Sequence, residues 1–95
     1  MKPHDWLADF EPDALVMEEH ENALVGMCVQ FGRPPVALYD YDVVIENLKA
    51  DGMSYEEAVE FFEFNIGGAW LGEYTPAFIM RYEDEDVAEK DVEPV

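Results

Sequence analysis

The sequence predicts a small α+β domain, with short antiparallel strands packed against two consecutive helices at about 41–50 and 55–66. Three observations lead there. Apolar residues recur at helical spacing in two adjacent stretches, each with its own start signal. Short β-branched or alternating apolar runs flank them, bounded by glycine and proline. The chain has 95 residues, 49% of them hydrophobic. A chain of that size buries roughly 60 to 70% of its unfolded surface in one core and has no room for two.

Residues 1–13 carry Pro3, Pro12 and several acids around isolated Trp6, Leu7 and Phe10, so they read as an extended arm pinned by Trp6 and Phe10. A single domain then spans 14–82. It begins with the short apolar run 14–17 and the polar stretch 18–22. From Ala23 to Phe31 the residues Val25, Met27, Val29 and Phe31 alternate with small or polar neighbours, so 14–17, 18–22 and 23–31 together predict strand, turn, strand. Leu24, Met27, Cys28 and Phe31 also fit a helix over 18–30, but Val25, Gly26 and Val29 weaken it. Gly32-Arg33-Pro34-Pro35 breaks the chain before another strand at 36–39.

Asp40 can cap the first main helix, whose Val44, Ile45 and Leu48 form a stripe and whose Lys49 complements the C-terminal dipole. Gly52 supplies the left-handed stop. Ser54 and Glu57 have capping-box spacing, and Tyr55, Ala58, Val59, Phe62 and Ile66 continue as the apolar stripe of the second helix. Its opposite face carries Glu56, Glu60 and Glu63, which repel one another and must stay wet. Gly67, Gly68 and Gly72 mark a turn that needs small residues for close approach. A last strand is expected over 77–82, with Phe78, Met80 and Tyr82 on one side. Residues 83–95 are acid-rich and lack large apolar side chains, so a disordered tail is expected there.

Charge narrows the function classes. Five Lys and Arg stand against 23 Asp and Glu, for a formal charge of −18. Such a field repels phosphate and anionic lipid, which argues against direct nucleic-acid or membrane binding. No apolar stretch approaches the roughly eighteen residues of a membrane helix. The first residues do not read as a secretory signal, so a cytoplasmic protein is expected. The lone Cys28 excludes an internal disulfide and a zinc site built on paired thiolates.

Several side chains invite a chemical reading. Asp40 and Asp42, with Glu46 a turn onward, could hold a hard cation. Capping and dipole complementation are the simpler account, and no EF-hand loop is present. No metal or cofactor is expected. Cys28 could pair with His20 as nucleophile and base, but its apolar neighbours favour a small core residue. His4 and His20 lack ligand spacing and read as surface residues. Glu73 lies between Gly72 and Thr75-Pro76 near Trp70. An acid beside an aromatic pocket can serve as a general acid, although accepting hydrogen bonds from turn amides is the plainer role. Trp6, Tyr39, Tyr41, Trp70 and Tyr74 include more amphipathic aromatics than a small core needs, which favours a binding surface.

The blocks at 22–26 (NALVG), 39–42 (YDYD), 51–58 (DGMSYEEA) and 64–76 (FNIGGAWLGEYTP) resemble a group of small acidic proteins of unassigned activity from bacteriophage and bacterial genomes. The resemblance covers about 13–80. It implies a phage-associated gene, and by analogy a product that binds a host or defence enzyme. It transfers no catalytic residue.

The expected function is therefore that of a non-enzymatic, acidic, protein-binding modulator. Its partner would present a basic surface to Glu56, Glu60, Glu63 and Glu73, with Trp70 and Tyr74 as anchors. If the partner handles nucleic acid, spaced carboxylates could occupy a channel that normally receives phosphates. One alternative is a small metal-assisted or acid/base enzyme using Asp40, Asp42 and Glu73. Another is a structural or assembly subunit with a salt-adapted surface.

Overall fold

A computed structural model of the chain describes residues 1–82. In chain order the elements are α1 (Pro3–Phe10), a 3-10 helix (Glu18–Ala23), β1 (Leu24–Cys28), β2 (Val36–Asp40), α2 (Tyr41–Ala50), α3 (Tyr55–Asn65) and β3 (Ala77–Ile79). The α+β class and both main helices stand as the sequence predicts. The tail expected at 83–95 lies outside the described residues.

The cap chemistry is explicit. Asp40 Oδ1 accepts from the amides of Asp42 at 2.9 Å and Val43 at 3.4 Å, so the last residue of β2 also starts α2. Gly52 has φ +110°, and its amide donates to Lys49 O at 2.9 Å, closing α2 in the left-handed region. Ser54 Oγ accepts from Glu57 N while Glu57 Oε1 accepts from Ser54 N, the reciprocal capping box of α3. Replacing Ser54 with alanine should cost about 1 kcal/mol. Thermal unfolding should show this as a midpoint lower by roughly 4 to 8 °C, and an unchanged midpoint would mean the box contributes nothing.

The sheet has the order β1-β2-β3. β1 and β2 are antiparallel, with a bulge between Leu24 and Gly26. β2 and β3 are parallel, with Tyr39 opposite Phe78. The all-antiparallel expectation is thus corrected for the second pair. Parallel strands need a long crossover, and α2 and α3, lying between β2 and β3, supply it. On the central strand, Ala37 and Tyr39 are fully buried and join Val44, Ile45 and Leu48 of α2 and Ala58 and Phe62 of α3 in one core.

The first third of the chain departs most from expectation. Residues 3–10 form a helix rather than an extended arm, because Pro3 sits at the helix start, where a missing amide costs nothing. Its pin is Leu7, 1% exposed, while Phe10 stands outside and Trp6 pairs edge-on with it at 5.2 Å. Residues 14–17 form no strand. They are tied instead by Leu15 N to Tyr74 O at 3.4 Å and by Met17 N to the Tyr39 hydroxyl at 2.8 Å. The rivalry over 18–31 divides, with 18–23 helical in the 3-10 sense and only 24–28 in a strand. The strand stops before Val29 and Phe31, both exposed, where Arg33 N closes a turn on Gln30 O. β3 likewise ends at Ile79, leaving Met80 and Tyr82 exposed.

Candidate functional site

Two surfaces gather the residues singled out in the sequence. The first is the solvent side of α3. Burying Ala58 and Phe62 leaves Glu56, Glu60 and Glu63 on the opposite side, all exposed and in no ion pair among the described residues. Beside them Glu57, Phe61 and Phe64 recur at four- and three-residue steps, which stack on a helix flank. Phe64 is 75% exposed, and Tyr55 at the start of the helix is also open. A shallow groove of about 420 Å³ runs between Met53, Glu57, Phe61 and Phe64. Another of about 470 Å³ lies along Tyr55, Glu56, Val59 and Glu63. The surface therefore alternates carboxylates with aromatic rings. The sequence reading missed Phe61 and Phe64. Their signal was available: at about 100° per residue Phe61 sits about a quarter of a turn, and Phe64 more than a third, off the Ala58–Phe62 stripe, towards the wet side.

The second surface is a cleft of about 290 Å³ between the start of β2 and the 67–77 segment. Arg33, Glu73 and Trp70 border it together with Cys28, Val36 and Pro76. Close approach shapes the segment. A Cβ on Gly68 would come within 2.6 Å of the Glu63 carbonyl oxygen, so only glycine lets the chain fold back on the end of α3. Thr75, rather than Glu73, organises the turn: its hydroxyl accepts from Leu71 N at 2.8 Å and donates to Gly72 O at 2.6 Å. Glu73 is exposed at the cleft, and Trp70 beside it is 71% exposed. Tyr74 is partly buried against residues 11–15. Burial, followed by the charges of Glu11, Asp13 and Glu73, pushes its hydroxyl above the usual tyrosine range. Cys28 is half-buried at the cleft rather than inside the core.

The carboxylates of the enzymatic alternative are not assembled. Asp40 ends β2, whereas Glu73 shares a cleft with Val36 at the strand's beginning, roughly 13 Å away at about 3.3 Å per residue. Asp42 is exposed on the first turn of α2. The Asp40 carboxylate is 7% exposed and fully engaged, capping α2 with one oxygen and accepting from Arg81 Nη2 at 2.9 Å with the other. The Arg81 hydrogen bond is the main cause holding its pKa below the usual aspartate value. Among the described residues, no cluster of three or more His, Cys, Asp or Glu is arranged to hold a metal ion.

The histidines are not free surface groups. His20 is buried, with Nδ1 3.0 Å from Asn47 Nδ2. The Asn47 amide in turn exchanges hydrogen bonds with Asn22 at 2.8 and 3.1 Å. His4 Nε2 lies 2.8 Å from the hydroxyl of Tyr39, which already accepts from Met17 N. The hydroxyl and His4 Nε2 share that hydrogen bond, and the other ring nitrogen of His4 is Nδ1. That second nitrogen faces Glu21 Oε2 at 3.7 Å, and the same oxygen accepts from His4 N at 2.9 Å. Tyr39 is wholly buried. Burial is the main cause raising its pKa, opposed by the Met17 bond and reinforced by Glu18 and Glu21. The network fastens α1 and the 14–17 segment to the central strand.

No helix among the described residues is long and apolar enough to cross a membrane. Comparison with known proteins finds no matching family model, curated protein or solved structure.

Proposed function

We propose that this chain is a non-enzymatic, cytoplasmic binding protein that docks α3 and the adjoining Trp70 onto a partner protein with a basic surface. The observation that carries the reading is the composition of α3's outer side. Glu56, Glu60 and Glu63 stand free of ion pairs among the described residues, next to the exposed rings of Tyr55, Phe61 and Phe64. Charges of one sign steer encounter, whereas exposed aromatics supply desolvated contact area once the partner arrives. Exposed phenylalanine on so acidic a surface has no role in solubility. With a formal charge of −18, the partner's complementary surface must be cationic. A host or defence enzyme that handles nucleic acid fits that requirement, because its phosphate-binding channel is basic. Tyr74, held against residues 11–15, is a less accessible anchor than Trp70.

The two roles are separable by kinetics. After a partner is isolated from host lysate at low salt, Glu56→Gln, Glu60→Gln and Glu63→Gln combined should slow association by about tenfold and flatten its salt dependence. Phe64→Ala should mainly speed dissociation. Unchanged rate and salt response in the triple variant would reduce α3 to a solvated face and favour a salt-adapted structural subunit.

A further inference from the structure

The cleft between β2 and the 67–77 segment holds opposite charges that do not meet. Arg33 and Glu73 both line it, yet they form no ion pair. Arg81 and Lys49 pair with Asp40 and Glu46, but Arg33 has no carboxylate partner among the described residues. Both side chains are exposed, so neither charge is neutralised by an ion pair among the described residues. Trp70 supplies an open ring at the rim, and Val36, Ala69, Pro76 and Ala77 supply an apolar lining. Thr75 is committed to its own turn, which leaves Arg33, Glu73 and the Gln30 amide as the polar groups available to an occupant.

From this arrangement we infer that the cleft binds a small zwitterion of the α-amino-acid class with an apolar or aromatic side chain. The guanidinium fork matches a carboxylate in bidentate fashion. Glu73 accepts from an ammonium group and disfavours a second anion, so a purely anionic ligand fits less well. Trp70 and the Pro76 side of the cleft receive the apolar body. Polar and apolar surface line the cleft about equally, which suits a ligand that carries both charges and an apolar body. The site shares Trp70 with the proposed docking surface but uses none of the α3 side chains.

The probe is L-phenylalanine, titrated into the full chain while the Trp70 indole N–H resonance is followed by NMR, with Trp6→Phe used to assign it. N-acetyl-L-phenylalanine lacks the ammonium, and phenethylamine lacks the carboxylate. A saturable shift of Trp70 is expected with phenylalanine, and Arg33→Gln should weaken it by about tenfold, as for loss of a charge-assisted pair. Glu73→Gln should weaken phenylalanine but leave N-acetyl-phenylalanine unchanged or tighter. Circular dichroism of each variant controls for folding, which these exposed positions should not disturb. The assignment is overturned if phenylalanine gives no saturable shift, if Arg33→Gln leaves its affinity unchanged, or if phenethylamine binds the wild type as well as phenylalanine does. None of those outcomes touches the α3 reading, whose test uses Glu56, Glu60, Glu63 and a protein partner.

Discussion

Phe62→Ala should destabilise the fold by about 3 to 5 kcal/mol, the usual range for truncating a buried phenylalanine. The ring is 5% exposed and lies at the junction of three elements. Its centroid is 4.9 Å from Tyr41 of α2 and 4.8 Å from Phe78 of β3, the latter edge-on at 73°. Gly67 closes a third side, where a Cβ would stand 3.0 Å from Phe62 Cζ. The cavity left by alanine therefore cannot be filled by one neighbour relaxing, because each is held by its own element. Against a total of about 5 to 15 kcal/mol for a typical domain, the variant should be close to its unfolding threshold at 37 °C. Phe62→Leu should recover more than half of the loss. Urea unfolding followed by circular dichroism reads both, with similar m-values expected if only stability changes. A loss below about 1 kcal/mol would mean that α3 is held elsewhere and that Phe62 is no packing centre.

What the sequence disclosed tracks how local the deciding physics is. α2 and α3 were legible because Asp40, Gly52 and the Ser54–Glu57 box act within a few residues of themselves. Gly67 and Gly68 announced a close approach, although not that the Phe62 ring and the Glu63 carbonyl are what they approach. β3's direction was hidden, because pairing with β2 is settled by a two-helix crossover and not by residues 77–79 themselves. α1 was hidden by Pro3 and Pro12, which discourage a helix unless they fall at its first turn, as Pro3 does, or beyond its end, as Pro12 does.

The site shows the same division. Glu56, Glu60 and Glu63 were readable as a wet face from the opposing stripe alone. Arg33 was not, since only the fold brings the turn after β1 to the loop that carries Glu73 and Trp70. The histidines misled for a similar reason: His4 and His20 lie in polar segments, and their partners Tyr39 and Asn47 are 35 and 27 residues away. A buried imidazole has no local signature when its acceptors and donors come from other elements.

Asp40→Ala should cost about 2 to 3 kcal/mol at neutral pH, combining loss of an N-cap worth roughly 1 kcal/mol with loss of a charge-assisted hydrogen bond to Arg81. Arg81 is the more open partner, its side chain 55% exposed, so solvent screening keeps the ion pair's share modest. Asp40→Asn should recover roughly half of the loss, because asparagine caps nearly as well but cannot pair with a guanidinium as a charge. The pH dependence separates these parts. The folded-state pKa of Asp40 is lowered, chiefly by Arg81 and then by the Val43 and Asp42 amides against the opposing effect of burial. In the pH range between its folded and unfolded values, the unfolded chain therefore binds more protons at this residue. Its stabilising contribution is full above the unfolded aspartate pKa near 3.8 and is lost as pH falls through the depressed folded value. The stability gap between wild type and Asp40→Asn should consequently be constant from about pH 5 to 8 and close as the solution is acidified below it. Taking the difference between the two proteins cancels the titration of the other carboxylates they share. A gap that persists undiminished to pH 2, where carboxylates are largely protonated, would assign the effect to packing at the β2–α2 junction. A gap absent at pH 7 would mean that the Arg81 pair adds no stability and that Asp40 acts only as a cap.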